Sequence, residues 1–422
     1  MPVRISSLSA YERIYSPSSA LLLCGDGKEG ESIKSALCDF GYSEELENAS
    51  KNIRNETLRL GDSVLERVYP RDLALTQTRI DTYVNCPLSY YLKYNLRLSE
   101  NEKAEFDARN IGTFIHAILE NFFKEVREKK IPISEIDEDG KRALVERSAK
   151  EYLDSVISDT GMGGKREEVL LKRLCRSALP VVSGLCDELS DCKFLPQYFE
   201  LKIGGHDPKS PEAAKFSFDD GNVFVYGSID RVDTYQSDSG DVFVRVIDYK
   251  TGSKSFSPDD LLDGKNLQMF LYLRSVVESE NGEFKEELGL KEGGKLIPAG
   301  VIYVKTDMSD VVIGHSDGAA ADEAIQKKQE RRGMILNDEE SLSAMNTKFI
   351  PVKFKKNGEP DSRSEKFLYT REGWDEITKT ISDTVGNISK QMRSGDISTP
   401  KGSDASACSY CKFKPFCRSK LK

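Results

Sequence analysis

The chain has 422 residues, room for roughly two to three domains. Hydrophobic residues make up 38% and charged residues 31%, a composition able to bury a sizeable core; no apolar run reaches a bilayer span and the N-terminus lacks the apolar block of a secretory signal, so a cytoplasmic protein without a membrane partner is expected. The net charge of −9, from 61 basic and 70 acidic residues, argues against a general nucleic-acid coat protein but not against an enzyme with a local basic groove.

Residues 1–75 form an N-terminal region of uncertain fold. The run Gly25 to Ser32 has the glycine spacing of a phosphate loop but carries Glu31 where the lysine is required, so ATP hydrolysis is not expected. Residues 76–94 read as helix, with Thr76 or Thr78 as cap and an interruption near Pro87. Gly112 to Glu128 is a stronger helix: Phe114, Ile115, Ile118, Leu119, Phe122, Phe123 and Val126 form a wide apolar stripe, with His116 beside it. That histidine reads either as a satisfied side chain at the core's edge or as a metal ligand. Residues 139–193 are expected to be helical, with a break at Pro180.

The periodicity then changes. Phe194 to Ile203, Val223 to Asp233 and Asp241 to Lys250 alternate as strands, a helix follows around 266–277, and Ile297 to Lys305 is again strand-like. Residues 308–348 resemble an insertion with a polar helix near 320–331. Trp374, Ile377, Ile381, Val385, Ile388 and Met392 step by three or four along a long helix that Gly395 and Pro400 end. Helices, then a strand cluster, then helices imply an α/β core with a helical surround.

The turn composition of Gln236 to Asp241 places a hairpin centre at Ser239. Residues whose numbers sum to 478 then face one another, and Asp230 of Gly227-Ser-Ile-Asp230 lies opposite Asp248 of Asp248-Tyr-Lys250. Cross-strand Cβ atoms are about 4.5–5.5 Å apart. Two carboxylates so close resist joint ionisation, and a divalent cation relieves them. Oxygen ligation suits Mg²⁺ or Mn²⁺, and Lys250, sharing a face with Asp248, can steady an attacking water or the charge on a phosphate. The bland alternative is a charged surface hairpin. Gln268 and Tyr272, four residues apart on the next helix, can bind a phosphate or brace the site, although an ordinary helix face explains them equally well.

A second cluster is Cys408-x2-Cys411-x5-Cys417, with Cys86 far upstream as a candidate fourth ligand. Four thiolates suit a [4Fe–4S] cluster or zinc, either of which staples the tail at 401–422 to the region of residue 86. That tail carries six basic residues and one acid, as befits a solvated end or a DNA contact. The remaining Cys24, Cys38, Cys175, Cys186 and Cys192 show no ligand pattern and read as buried free thiols.

In this order the elements resemble PD-(D/E)XK nucleases of the RecB-like group, and above all the C-terminal nuclease domain of AddB-type subunits of ATP-dependent helicase–nucleases. The likeness is carried by Thr78 to Pro87, Gly112 to His116, Gly227 to Asp230, Asp248 to Thr251, Gln268-x3-Tyr272, Pro298 to Tyr303, Arg332 to Leu336 and the C-terminal cysteines, over roughly 75–420. It implies a restriction-endonuclease-like core, a mixed central sheet flanked by helices, within a nuclease domain spanning 76–422 and closed by an iron–sulfur staple. It implies a [4Fe–4S] cluster on Cys86, Cys408, Cys411 and Cys417, and metal ligation by His116, Asp230, Asp248 and the Tyr249 carbonyl. Lys250 would be the catalytic lysine, Gln268 and Tyr272 would support the site, and Glu200 would be an accessory acid. The expected activity is an exonuclease on single-stranded DNA ends in double-strand-break repair and recombination, with an AddA-type partner subunit. AddB-type subunits carry long helicase-like regions upstream that this sequence does not contain. A detached nuclease module, a stand-alone RecB-like nuclease such as those of CRISPR adaptation, and a non-catalytic DNA-binding module held by its cluster are therefore all expectations.

Overall fold

The computed structural model describes residues 28–44, 47, 59–99, 108–157, 165–250, 267–306, 331–399, 406–409, 411–413 and 417. The chain divides into two compact units: residues 71–80 with 102–389, and residues 1–70 with 81–101 and 390–422. This division crosses the boundary expected at residues 75 and 76.

The larger unit is built on one mixed sheet of eight strands: β1 (Asp72–Thr76), β2 (Leu195–Ile203), β3 (Ala214–Phe218), β4 (Gly221–Gln236), β5 (Val242–Lys250), β6 (Leu296–Lys305), β7 (Arg332–Leu336) and β8 (Leu368–Tyr369). β4 is its organiser. Its first half pairs with β1 on one side and β3 on the other, and its second half pairs with β2 and β5. β5 runs antiparallel to β4 and parallel to β6, so it is a central strand, buried along its length up to Lys250. The bland alternative of a surface hairpin is thereby excluded. The hairpin register is the one read from the turn: Arg231 faces Ile247 and Tyr235 faces Phe243, pairs that sum to 478.

The helices are α1 (Gln77–Asn85), α2 (Ala108–Glu128), α3 (Glu138–Ile157), α4 (Lys165–Ser190), α5 (Gln268–Val277) and α6 (Arg371–Arg393), and α2 packs on β2. The Thr76 hydroxyl accepts from the Arg79 N–H at 3.4 Å and so caps α1. All seven apolar residues of the α2 stripe are buried, and α2, α3 and α4 pack on one another. Pro180 does not break α4. The missing hydrogen bond is offset by burial of Ala178, Val181, Val182 and Leu185 on either side of it. α5 packs on β4, β5 and β6, and Trp374 of α6 lies near Phe270 of α5. Within 308–348, residues 332–336 are a strand of the sheet paired to β6 and β8, whereas the polar helix expected near 320–331 falls on 307–330, outside the described residues.

A buried ionic lattice lies under the hairpin. Asp233 receives Arg231 at 2.8 Å and Arg245 at 2.8 Å; Glu188 of α4 receives Arg245 at 3.2 Å and Arg331 at 2.9 Å. Burial alone would raise the Glu188 carboxyl, but Arg331, Arg245 and Arg231 together hold it below its ordinary value. Three guanidinia against two carboxylates leave one excess positive charge in the core, and Arg231 directs Nη1 to the Tyr249 hydroxyl at 3.0 Å.

In the smaller unit, Tyr69 and Tyr83 pack around Tyr90, and the Tyr83 hydroxyl donates to the Asp396 carbonyl at 3.0 Å. Leu60 and Leu88 donate their N–H groups to the carbonyls of Gly395 and Ser398. Among the described residues no helix is long and apolar enough to cross a membrane.

Removing Asp233 takes the acid from Arg231 and one of its two acids from Arg245 in a dry core. Asp233→Ala should destabilise the protein by about 3–5 kcal/mol, the usual cost of halving a buried ion pair, read as a lowered urea midpoint; an unchanged midpoint would refute the structural weight given to the lattice.

Candidate active site

β4 and β5 carry the acidic centre. Asp230 follows the buried Ile229, and its carboxylate turns back to accept the Tyr249 N–H at 2.7 Å. Asp248, 4% exposed, meets the Lys250 ammonium at 2.7 Å. Two residues apart on an extended strand, Asp248 and Lys250 share a face, so the lysine reaches its neighbour without distortion. Lys250 is 41% exposed and so lies at the site's open side.

α2 brings His116. Its Nε2 lies 3.0 Å from the Tyr249 carbonyl, which can only accept, so Nε2 carries a hydrogen. Nδ1 then faces two carboxylates, Glu200 and Asp230, each at 3.6 Å. Glu200 comes from β2, where Phe199 pairs with Arg231 and Leu201 with Ile229, placing Glu200 across from Asp230. Its φ is +48°, a left-handed value in mid-strand for a residue with a Cβ. The carboxylate is held by the Ser228 hydroxyl at 3.2 Å.

The electrostatics record this crowding. Burial and the Asp248 carboxylate push Asp230 up to about 7, against the pull of His116 and the Tyr249 N–H. For His116, burial is the largest influence and lowers its pKa, yet Glu200, Asp230 and the Tyr249 carbonyl outweigh it and raise it to about 9. Glu200 is lowered, first by its bond to His116. The imidazole is thus favoured in its protonated form among the acids that face it.

Among the described residues, one group of His, Cys, Asp or Glu ligand atoms gathers within 4.8 Å: His116, Glu200 and Asp230. Asp248 is adjacent but turned to Lys250, and the Tyr249 carbonyl is engaged by His116. The donor set, two carboxylates and an imidazole with a third carboxylate alongside, suits Mg²⁺ or Mn²⁺. Glu200, expected only as an accessory acid, thus lies within the candidate ligand group. Its signal is modest: an acid in a β-prone run, paired to the strand that bears Asp230.

Gln268 is half-buried in the first turn of α5 and Tyr272 is buried one turn on. The Tyr272 hydroxyl sits over Gly227, where a Cβ would collide with it. The glycine three residues before Asp230 is therefore required by close approach of a side chain from α5. Arg231, Arg245, Glu188 and Arg331 were not singled out in the sequence; charged residues inside otherwise apolar strands were the available sign.

The cysteines lie in the smaller unit. The Cys86 thiol caps the short helix Pro87–Tyr90, accepting from the Ser89 N–H at 3.4 Å. Burial raises its pKa, and the Cys417 and Cys411 thiols are close enough to raise it further. The Cys411 N–H bonds to the Cys408 carbonyl at 3.4 Å. Cys86, Cys411 and Cys417 thus come into electrostatic reach, but the four sulfurs do not gather within 4.8 Å as the acidic group does. The donor chemistry, all thiols with no competing carboxylate among the candidates, suits iron–sulfur or zinc. Of the five other cysteines, Cys186 is buried, Cys175 and Cys192 are half-buried and Cys38 is exposed, which corrects the expectation of uniformly buried thiols; Cys24 lies outside the described residues.

Residues 74–418 match the model of the PD-(D/E)XK nuclease superfamily. The chain is 27% identical over 384 residues to the B subunit of the ATP-dependent helicase/deoxyribonuclease of Clostridium kluyveri (strain NBRC 12016), covering 86% of this chain and 32% of that protein. It is 26% identical over 381 residues to the protein of that name from Thermoanaerobacter sp. (strain X514), covering 87% and 32%. With its counterpart in Clostridium botulinum (strain Loch Maree / Type A3) it shares 27% over 401 residues, covering 92% and 33%. The chain spans about a third of the length of these curated relatives. With the match running through β4, β5 and the C-terminal cysteines, the chain belongs to the PD-(D/E)XK nuclease superfamily.

Proposed function

We propose that this protein is a metal-dependent deoxyribonuclease that trims single-stranded DNA ends, working in the cytoplasm as the nuclease module of a helicase–nuclease in break repair and recombination. The observation that carries this reading is the convergence of His116, Glu200 and Asp230 beside the Asp248–Lys250 pair. The names of the relatives, which describe one subunit of a helicase/deoxyribonuclease, support DNA as substrate and a helicase-bearing, AddA-type partner.

In this reading Asp230, Asp248, His116 and the Tyr249 carbonyl would hold the cation, with Glu200 as a further acid. A bound Mg²⁺ or Mn²⁺ supplies Lewis-acid polarisation of the scissile phosphate and a more acidic water. Lys250 presents its ammonium at the open side, where it opposes the charge developing on the phosphate and orients the attacking water. Asp248 holds that ammonium in place. Tyr272 seals the back of the site against Gly227, and Gln268, one turn before it on α5, would brace a phosphate. Cys86, Cys408, Cys411 and Cys417 hold a [4Fe–4S] cluster of structural role, tying the C-terminal tail to residue 86 and supporting DNA binding; zinc is the alternative at that site.

Asp248→Ala and Lys250→Ala should each slow digestion of end-labelled single-stranded DNA by at least ~10²-fold, the scale of losing a charge-stabilising group, with circular dichroism unchanged. Undiminished cleavage in both would defeat the assignment, and DNA binding without cleavage in the unsubstituted chain would favour a non-catalytic module.

Chelation by EDTA should stop cleavage, and either Mg²⁺ or Mn²⁺ should restore it. Full activity after exhaustive chelation would remove the metal from the reading.

Anaerobically purified protein should show broad visible absorbance that bleaches on reduction, with bound iron, and Cys411→Ser should lose both along with several degrees of thermal stability. A colourless protein containing zinc would replace the iron–sulfur assignment.

A further inference from the structure

Beyond the acidic centre, β4 continues as a surface of a different character. From Asn222 to Ile229 its side chains alternate cleanly. Val223, Val225 and Ile229 are fully buried, whereas Phe224, Tyr226 and Ser228 emerge on the open side. Tyr226 is 36% exposed, unusual for an aromatic ring in mid-sheet. Its ring lies over Gly204 of the turn after β2, where a Cβ would collide with it. The flanking strands add charge. Lys215 of β3 pairs with Phe224 and sets its ammonium 6.0 Å from that ring. Lys202 of β2 pairs with Ser228 and reaches its hydroxyl at 3.3 Å. Ser228 in turn bonds Glu200, which faces His116 and Asp230. Phe224 to Asp230 is six residues, about 20 Å of strand. Asp72, bonded to Asn222, and the turn at Asp219 and Asp220 bring acids to the far end and bound the strip there.

Aromatic faces interleaved with lysines, on a strand that runs into a cluster of metal-ligand type, match the chemistry of single-stranded nucleic acid: bases stack on the rings and phosphates sit on the ammonium groups. A duplex hides its base faces and would gain nothing from the exposed rings. We propose that this strip of β4, Phe224–Tyr226–Ser228 with Lys202 and Lys215, is the track along which a single DNA strand is fed to the acidic centre. It rests on the reading of that centre as a nuclease for single strands.

The test uses the full chain carrying Asp248→Ala, so that the probe survives. The probe is a fluorescent oligodeoxythymidylate of about sixteen nucleotides, the upper end of single-strand site sizes. Tyr226→Ala should weaken binding about tenfold, within the range for loss of one stacked base, while Tyr226→Phe, which keeps the ring on Gly204, should bind as the parent does. Lys202→Gln with Lys215→Gln should flatten the salt dependence of log affinity by about 1.4, at about 0.7 for each phosphate of a single strand that is no longer neutralised. A blunt duplex of equal length should be little affected by Tyr226→Ala. Parental affinity in both Tyr226→Ala and the lysine pair would overturn the track, as would equal losses for duplex and single strand. Cleavage by the chain without Asp248→Ala is measured separately. If that cleavage is absent but the binding losses appear, the nuclease reading fails and the track stands; cleavage without the binding losses gives the reverse.

Discussion

The hairpin of β4 and β5 is anchored by charge buried where charge is costly. Asp233 and Glu188 bind three guanidinia in a region with no access to water, and the lattice draws together β4, β5, α4 and the residue before β7. Such a lattice adds little net stability compared with an apolar core, but it tolerates few alternative arrangements, since any slip leaves a guanidinium without its acid. Arg231 is the member that matters most for chemistry. Its side chain is fixed to Asp233 and to the Tyr249 hydroxyl, and its chain neighbour is Asp230. The Tyr249 main chain, held by its ring and hydroxyl, then offers its N–H to Asp230 and its carbonyl to His116. Rigidity in the core is thereby delivered to backbone atoms at the acidic centre, the kind of outer support that metal sites depend on.

The acidic centre itself crowds three carboxylates that His116 and Lys250 offset. Asp230, Asp248 and Glu200 would all be anions in water, and here Asp230 is pushed toward neutrality while His116 is drawn into the charged state. A divalent cation held by Asp230, Glu200 and His116 would supply positive charge to the same group. Lys250 stands outside this group, matched to Asp248 and partly exposed to solvent.

What the sequence disclosed and what it withheld divide along the range of the interactions. The turn at Ser237 to Asp241 and the alternation on either side are local, so the pairing of β4 with β5, and with it the proximity of Asp230 to Asp248, could be read directly; the turn closes with Ser237 N–H on the Asp241 carbonyl and Gly240 at φ +91°. The α2 stripe was equally plain, and it fixed the helix that carries His116. Pro180 misled because proline's local preference was overridden by tertiary burial along α4. The lattice was invisible because Arg331 and Glu188 are 143 residues apart and neither carries a motif. Glu200 was underrated for a similar reason: its place opposite Asp230 depends on the β2–β4 register and on a backbone angle that no pattern of residue types announces.

That angle has a practical consequence for anyone wishing to toughen this protein. A left-handed backbone at a residue with a Cβ is disfavoured by about 1–2 kcal/mol, so a screen that scores only heat resistance would reward glycine or asparagine at position 200. Either replacement would ease the main chain and delete an acid that faces His116. Thermal selection and retention of that acid therefore pull this codon in opposite directions, and a library built for robustness should leave it fixed.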